Sequence, residues 1–379
     1  MNMNEFYDVV SIGSSPKIFM KLFEYAKEGK KILILDSDSN LGGNWKTTDF
    51  ASCKGVEYGC FVIPNNKVDY DFLINEMKID MPISEYQPFT FYRNKKYPLN
   101  SELLYALLDY RKNKSFKNSF NIFISYFKEK YKSYKGDYVT RYFKKGIPGL
   151  IEKYNEIIKD YNIDVYYKEK VNNIFVNFKE EIVYLESEKF KIKTPQVLIG
   201  SGINIEKIQS DKFDFFISRN QNVLNLFTFV HLKIKSNKKA EYSYVDLTHI
   251  YGNELEGKLL EKVDFFQETR TSYDKFKVIW RLTNISDFAT NLKEDEILLS
   301  VDTNGWLPKK DQEIEMVNII LDILKKQGLL LSDVELLEFN WNKNEARTIG
   351  GLEKLITDYY SPYLLSTNSL FFTRNPRGK

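Results

Sequence analysis

Residues 7–36, YDVVSIGSSPKIFMKLFEYAKEGKKILILD, contain the pattern from which the fold of this chain is predicted. The β-branched run at 7–12 predicts a strand that stops at Gly13, and apolar residues at helical spacing predict a helix over 17–27. The almost wholly apolar segment 31–35 predicts a strand that is covered on both faces, as in a parallel sheet. Strand, tight turn, helix and strand together make a βαβ unit.

This unit has the residue types of a Rossmann, NAD(P)-binding-like site for an adenine dinucleotide. Gly13 permits the tight turn, and the helix that follows Ser14, Ser15 and Pro16 directs its free N–H groups and positive dipole end at a diphosphate. Asp36 ends the second strand, where its carboxylate can accept hydrogen bonds from both hydroxyls of the adenosine ribose. The same negative charge disfavours a ribose that carries a 2′-phosphate.

The glycine fingerprint of such sites, G-x-G-x-x-G, is incomplete here, because Ser15 stands at the second glycine and Ile18 at the third. Ser15 adds a Cβ where the backbone approaches phosphate, and Ile18 is expected to push the helix away from the strand. The alternative reading is a doubly wound sheet that no longer binds a nucleotide.

Residues 37–47, SDSNLGGNWKT, resemble the second signature of the flavin-containing amine oxidase clan, R-x-G-G-R-x-x-T. That clan includes protoporphyrinogen oxidase, carotenoid desaturases and UDP-galactopyranose mutase. Gly42, Gly43 and Thr47 match the signature, and Asn44 replaces its second arginine as in the galactopyranose mutases. The resemblance implies FAD as the cofactor, and the residues expected to bind it are Gly13, Ser14, Ser15, Pro16, Asp36, Ser37, Gly42, Gly43, Asn44, Trp45 and Val171.

The resemblance extends to the segments at 55–59, 91–99 and 142–150. It implies that Tyr58, Arg281 and Trp341 lie on the substrate side, and it assigns no catalytic residue. The alternative is that Arg281 is a surface charge and Trp341 part of the core. The clan normally ends with a helix that faces the flavin, and no such closing helix is expected after the strand and turn at the end of this sequence.

The expected fold class is α/β, with a Rossmann-like FAD-binding domain and an inserted α+β substrate domain of antiparallel sheet and helices. We expect the FAD-binding domain to comprise residues 1–66, 141–204 and 346–379. The helical part of the substrate domain is expected at 67–140, and its antiparallel sheet at 205–345. Composition allows a sizeable core, since the chain has 379 residues, of which 43% are hydrophobic.

Charge and cysteine content exclude several classes of protein. With 55 Lys and Arg against 52 Asp and Glu, the net charge is +3, so no nucleic acid is expected as a partner. Two cysteines, Cys53 and Cys60, are not a disulfide framework, and no apolar run approaches the ~20 residues that cross a bilayer. We expect a soluble, cytoplasmic protein.

His231 and His249 are expected to be structural, and no metal site is expected. The acidic residues at 294–296 are expected to lie in a solvated turn.

These observations predict an enzyme, an FAD-dependent oxidoreductase (a flavoprotein of the amine oxidase-like type) that acts on a small-molecule substrate. One alternative is a flavin-free binding protein on the same fold, like the Rab GDP dissociation inhibitors; Ser15, Ile18 and the missing closing helix favour it. Another is a non-redox flavin mutase that acts on a nucleotide sugar, for which Asn44 is the sequence signal.

Overall fold

The computed structural model describes most of the chain. The described residues are 6–43, 45, 47–50, 53–57, 71–82, 90–92, 95–97, 120, 124, 127, 143–187, 190–200, 205–216, 222–236, 244–249, 263–265, 278–286, 291–303, 307–326, 329–349 and 352–367. The predicted helical region at 67–140 lies largely outside them.

Strands dominate the described part of the chain. In chain order they are β1 (Val9–Ile12), β2 (Ile32–Asp36), β3 (Thr47–Phe50), β4 (Cys53–Glu57), β5 (Thr90–Tyr92), β6 (Lys95–Tyr97), β7 (Asp164–Tyr167), β8 (Asn173–Asn177), β9 (Ile182–Glu186), β10 (Lys191–Thr194), β11 (Val197–Gly200), β12 (Lys207–Ser210), β13 (Asp214–Phe216), β14 (Asn222–Lys235), β15 (Tyr244–His249), β16 (Val263–Phe265), β17 (Val278–Asn284), β18 (Glu296–Asp302), β19 (Leu307–Pro308), β20 (Glu335–Ile349) and β21 (Leu364–Thr367). The α-helices are α1 (Pro16–Lys27), α2 (Gly146–Asp160), α3 (Glu313–Lys326) and α4 (Leu352–Leu355), and two π-helical turns cover Phe72–Glu76 and Ile356–Tyr360.

The predicted βαβ unit is confirmed and forms the centre of a five-stranded sheet. Its strand order is β21-β11-β1-β2-β7, and every neighbouring pair is parallel. All residues of β1, β2 and β11 are buried, as the apolar run at 31–35 predicted. Because the strands are parallel, their carboxyl ends lie at one edge, where Gly13 and Asp36 follow or end β1 and β2.

Both faces of this sheet are covered, so the molecule is layered here. Helices α1 and α2 pack on one face, where Phe19 of α1 stacks on Tyr154 of α2 with ring centroids 3.7 Å apart. The other face packs against a second sheet of order β10-β9-β8-β12-β13 through residues such as Leu33, Val176 and Ile208. Burial of these apolar side chains on both faces is the main driving force for this arrangement.

A third, seven-stranded sheet has the order β20-β14-β18-β17-β15-β5-β6. Its pairs are antiparallel except for β15 with β5, so the expected antiparallel sheet is present with one parallel pair. The apolar side chains of one face, among them Val230, Leu299 and Val301, pack on α3. Strands β3 and β4 form a hairpin whose Phe50 and Cys53 lie in a core cluster with Leu298 of β18.

The α/β fold class is thereby confirmed, whereas the domain boundaries stay a prediction. The sequence reading of the acids at 294–296 was wrong for Glu296, which begins β18 and is buried. The reason is that Glu296 forms a buried ion pair with Lys233 on the neighbouring strand. Within the described residues, no helix is long and apolar enough to cross a membrane.

Candidate functional site

The start of helix α1 presents unsatisfied polar groups. Ser15 is the N-cap residue in an extended conformation, with φ −59° and ψ 154°, and the helix has no side-chain cap. The Oγ of Ser15 is buried and has no hydrogen-bond partner. The first turn contains Lys17 and no acidic residue, although helix starts usually favour acids. A buried hydroxyl, uncapped N–H groups and a lysine together make this helix start electropositive.

Gly13 and Ile18 explain how helix and strand fit together without the third glycine. Gly13 has a φ of +92°, which permits the tight turn after β1, and its N–H donates to the carbonyl oxygen of Leu35 on β2 at 2.8 Å. Ile18 is fully buried in the core between α1 and the sheet. A Cβ on Gly13 would lie 3.9 Å from Ile18 Cδ1, which is an ordinary contact distance, so it is the positive φ and not a lack of space that favours glycine at this position. Ile18 therefore fills the helix–sheet interface and not the region in front of the helix.

Asp36, at the end of β2, is buried and held by donors from two directions. The Ser14 hydroxyl donates to its Oδ2, and the Asp38 N–H donates to its Oδ1 at 2.9 Å. Ser14 is itself fully buried, and its Oγ accepts the Gly42 N–H at 2.9 Å. Since a carboxylate offers about four acceptor positions, it can accept several hydrogen bonds at once.

The Gly42–Gly43 loop lies directly against the helix start. Both glycines have positive φ, +109° and +61°, which favours glycine at each position. A Cβ on Gly43 would lie 3.4 Å from the N, Cα and Cβ of Ser15, and a Cβ on Gly42 would lie 2.7 Å from the Trp45 carbonyl oxygen. A side chain at Gly42 would therefore collide with the backbone of its own loop, whereas Gly43 lies at ordinary contact distance from Ser15. The structure brings the two predicted motifs together at one place.

The structure places the other predicted cofactor residues in several different environments. Pro16 is the first residue of α1 and is buried, and Ser37 is exposed just after β2. Trp45 is buried, and its ring lies edge-on to that of Phe143 with ring centroids 5.4 Å apart. The backbone N–H of Trp45 donates to the Gly42 carbonyl oxygen. Val171 is buried in the core between the first two sheets. Asn44 lies outside the described residues.

The predicted substrate residues do not share one face of the seven-stranded sheet. In register, Arg281 on β17 is opposite Asp302 on β18 and Asp246 on β15, and residues directly opposite share a face. Trp341 is opposite Val230, which belongs to the face that packs on α3. Arg281 and Trp341 therefore lie on opposite faces of the sheet. Tyr58 lies outside the described residues.

The face that carries Arg281 also holds buried polar residues that the sequence did not indicate. Lys233 on β14 and Glu296 on β18 form an ion pair at 3.1 Å, with side chains only 7% and 6% exposed. The Lys293 N–H and then the Lys233 ammonium hold the pKa of Glu296 below its ordinary value. Nearby, Nδ1 of buried His231 lies 2.8 Å from Asn342 Nδ2. Only the strand register, which sequence periodicity does not give, reveals these pairs.

Cys53 lies beside this ion pair and is buried, so burial raises the pKa of its thiol. A neutral buried thiol is a poor nucleophile, and nothing here assigns it a chemical role. Among the described residues, no group of three or more His, Cys, Asp or Glu side chains is arranged to hold a metal ion.

The junction of α1, β2 and the paired-glycine loop fits the ADP half of FAD. The unpartnered Ser15 hydroxyl and the uncapped helix start match a diphosphate, and the Asp36 carboxylate at the adjacent strand end matches a ribose. Ser37, Gly42 and Gly43 border the same place. Residues 368–379, where the closing helix was expected to be missing, lie outside the described residues.

Comparison with known proteins finds likeness in structure. No protein-family model and no curated protein matches the chain in sequence. Among solved structures, a candidate protoporphyrinogen oxidase from an Exiguobacterium species is similar with a TM-score of 0.58 and 12% identity, covering 98% of this chain and 94% of that one. Putrescine oxidase, solved with putrescine bound, has a TM-score of 0.58 and 10% identity, covering 96% and 94%.

A Rab GDI from Plasmodium falciparum is also similar, with a TM-score of 0.52, 11% identity and coverage of 96% and 93%. At these identities the likeness shows the fold alone. The chain has the mixed α/β fold, with a parallel sheet at its core, of the FAD-binding amine oxidases.

Proposed function

We propose that this protein binds FAD at the start of α1 and acts as an oxidoreductase of the amine oxidase-like type on a small-molecule substrate. The observation that carries the proposal is the electropositive helix start of α1, with its buried, unpartnered Ser15 hydroxyl, next to the Asp36 carboxylate. An ADP group has a diphosphate anion that suits the helix start and a ribose that suits the carboxylate, at a fixed separation from each other. The fold shared with a protoporphyrinogen oxidase candidate and with putrescine oxidase supports the flavin form of this group.

Each residue of the junction has a defined task in this proposal. Ser15 and the first-turn N–H groups of α1 bind the diphosphate, and Lys17 adds positive charge at the same helix end. Asp36 accepts hydrogen bonds from the ribose, and Gly42 and Gly43 let the loop backbone approach the cofactor. A bound flavin supplies the hydride chemistry, so the protein needs only to position the substrate and exclude water.

The visible absorption spectrum of the purified protein tests this proposal. We expect flavin bands at close to one equivalent per chain, either as purified or after FAD is added and the excess removed. Bleaching of these bands under anaerobic conditions by an added amine or other reduced small molecule would identify the reaction as an oxidation. A colourless protein that retains no added FAD contradicts the proposal.

A second candidate function is that of a flavin-free binding protein. The internal bonds of Asp36 favour it, because Ser14 and Asp38 already occupy part of the carboxylate that a ribose would use. The similarity to a Rab GDI supports it at the level of the fold. The absorption spectrum separates the two candidates, since only the enzyme retains flavin. The mutase alternative predicts bound flavin that no substrate bleaches, and its sequence signal, Asn44, lies outside the described residues.

A further inference from the structure

Ser14 connects two parts of the candidate site that are far apart in sequence. Its hydroxyl donates to Asp36 Oδ2 at the end of β2 and accepts the N–H of Gly42 in the paired-glycine loop. The side chains of Ser14 and Asp36 are both buried, since Ser14 is fully inaccessible to solvent and Asp36 is 3% exposed. One hydroxyl therefore holds the Asp36 carboxylate and the paired-glycine loop, which contacts Ser15 at the helix start, in a fixed relation.

We propose that Ser14 is a positioning residue that couples the adenosine end of the dinucleotide site to its diphosphate end. The proposal rests on the proposed function, since it assigns a role in FAD binding. Ser14 does not have to touch the ligand for this role. It acts through Asp36 and Gly42.

The physical basis is preorganisation of the site before the ligand arrives. The Ser14 and Asp38 bonds fix the orientation of the Asp36 carboxylate, so less freedom is lost when a ribose binds to it. The Gly42 N–H bond fixes the loop that approaches Ser15. Removal of the hydroxyl would leave a buried carboxylate oxygen and a buried N–H each short of one partner, which costs more than the bonds contribute on average.

The chain offers a matched control in Ser11 on β1. Ser11 is also fully buried, but its Oγ has no hydrogen-bond partner. Ser11→Ala and Ser14→Ala therefore delete the same group from two buried positions, one without bonds and one with two. A general effect of removing a buried hydroxyl would appear in both variants.

The test is a titration of the full-length protein with FAD, combined with hydrogen exchange of the Gly42 amide without ligand. We expect Ser14→Ala to weaken FAD binding by about tenfold, which corresponds to about one net hydrogen bond. Ser11→Ala should bind as the wild type does. Ser14→Cys retains a weaker donor and acceptor at the same position and should fall between them. In an Asp36→Ala background, Ser14→Ala should cost less than threefold, because only the bond to Gly42 remains to be lost.

The exchange experiment separates this inference from the proposed function. Without ligand, the Gly42 amide should exchange faster in Ser14→Ala and unchanged in Ser11→Ala. If wild-type protein binds no FAD, the proposed function fails, whereas unchanged Gly42 exchange in Ser14→Ala overturns the coupling itself. Equal FAD affinity of wild type and Ser14→Ala, or an equal loss with and without Asp36, also overturns it.

Discussion

Replacement of Lys233 by methionine is expected to lower the free energy of unfolding by about 3 kcal/mol. The Lys233 ammonium and the Glu296 carboxylate are 3.1 Å apart, and their side chains are 7% and 6% exposed. Loss of the cation leaves the carboxylate buried without its charge partner, which typically costs 3–5 kcal/mol. We expect the lower end of this range, because the Lys293 N–H still donates to Glu296 at 3.0 Å and its ammonium lies at 3.8 Å.

The control residue, Lys235, lies on the same strand as Lys233. Lys235 and Asp295 form an ion pair at 3.6 Å whose side chains are 52% and 43% exposed, so Lys235→Met should cost less than about 1 kcal/mol. Replacement of both buried partners, in Lys233→Met with Glu296→Leu, should restore most of the stability, since no buried charge remains. Urea unfolding followed by circular dichroism measures all three variants. If Lys233→Met costs no more than Lys235→Met, the account of the buried pair is wrong.

Three further predictions concern pH, the core and the glycines. The Lys293 N–H and Lys233 lower the pKa of Glu296 from 4.5 in the folded state. The contribution of Glu296 to stability is therefore present above about pH 4.5 and is lost as the pH falls through the lower folded-state pKa. Urea unfolding midpoints measured from pH 7 to 3 should show that the stability loss caused by Lys233→Met becomes smaller in acid. Tyr154→Phe should leave stability unchanged or raise it by about 1 kcal/mol in thermal unfolding, because the Tyr154 hydroxyl is buried without a partner, and a clear loss would contradict this. Gly42→Ala should destabilise the protein more than Gly29→Ala in urea unfolding, although both glycines have positive φ. The reason is that a Cβ on Gly42 would meet a backbone atom at 2.7 Å, whereas a Cβ on Gly29 would meet nothing within 4 Å. Equal effects of the two substitutions would show that lack of space is not the cause.

The sequence predicted the βαβ unit well because its signals are local. The β-branched run before Gly13, the helical spacing after it and the apolar run before Asp36 each act within a few residues. The structure confirms that order and places the Gly42–Gly43 loop against Ser15, as adjacent motifs suggested. The effect of Ile18 depended on its long-range packing partners, and the structure places its side chain in the core between α1 and the sheet.

Long-range features of the site could not be predicted in this way. The bonds of Ser14 join residues 22 and 28 positions away, and polar type alone does not identify such partners. Strand register decides which face a residue occupies, so Arg281 and Trp341 could not be separated by periodicity. The same holds for Glu296, whose acidic neighbours suggested a solvated turn although its strand pairs with that of Lys233.

An equilibrium titration of wild type, Asp36→Asn and Asp160→Asn with FAD tests whether α1 and Asp36 hold an ADP group. Asp36 is placed to bind the ribose, whereas Asp160 is an exposed acid at the end of α2 and serves as the control. Asp36→Asn should weaken FAD binding at least tenfold, which is a loss of about 1.4 kcal/mol or more in binding free energy, as expected when a charge-assisted hydrogen bond is lost. Asp160→Asn should bind as the wild type does. Wild-type affinity in Asp36→Asn, or no FAD binding by the wild type, would contradict the claim that α1 and Asp36 hold an ADP group.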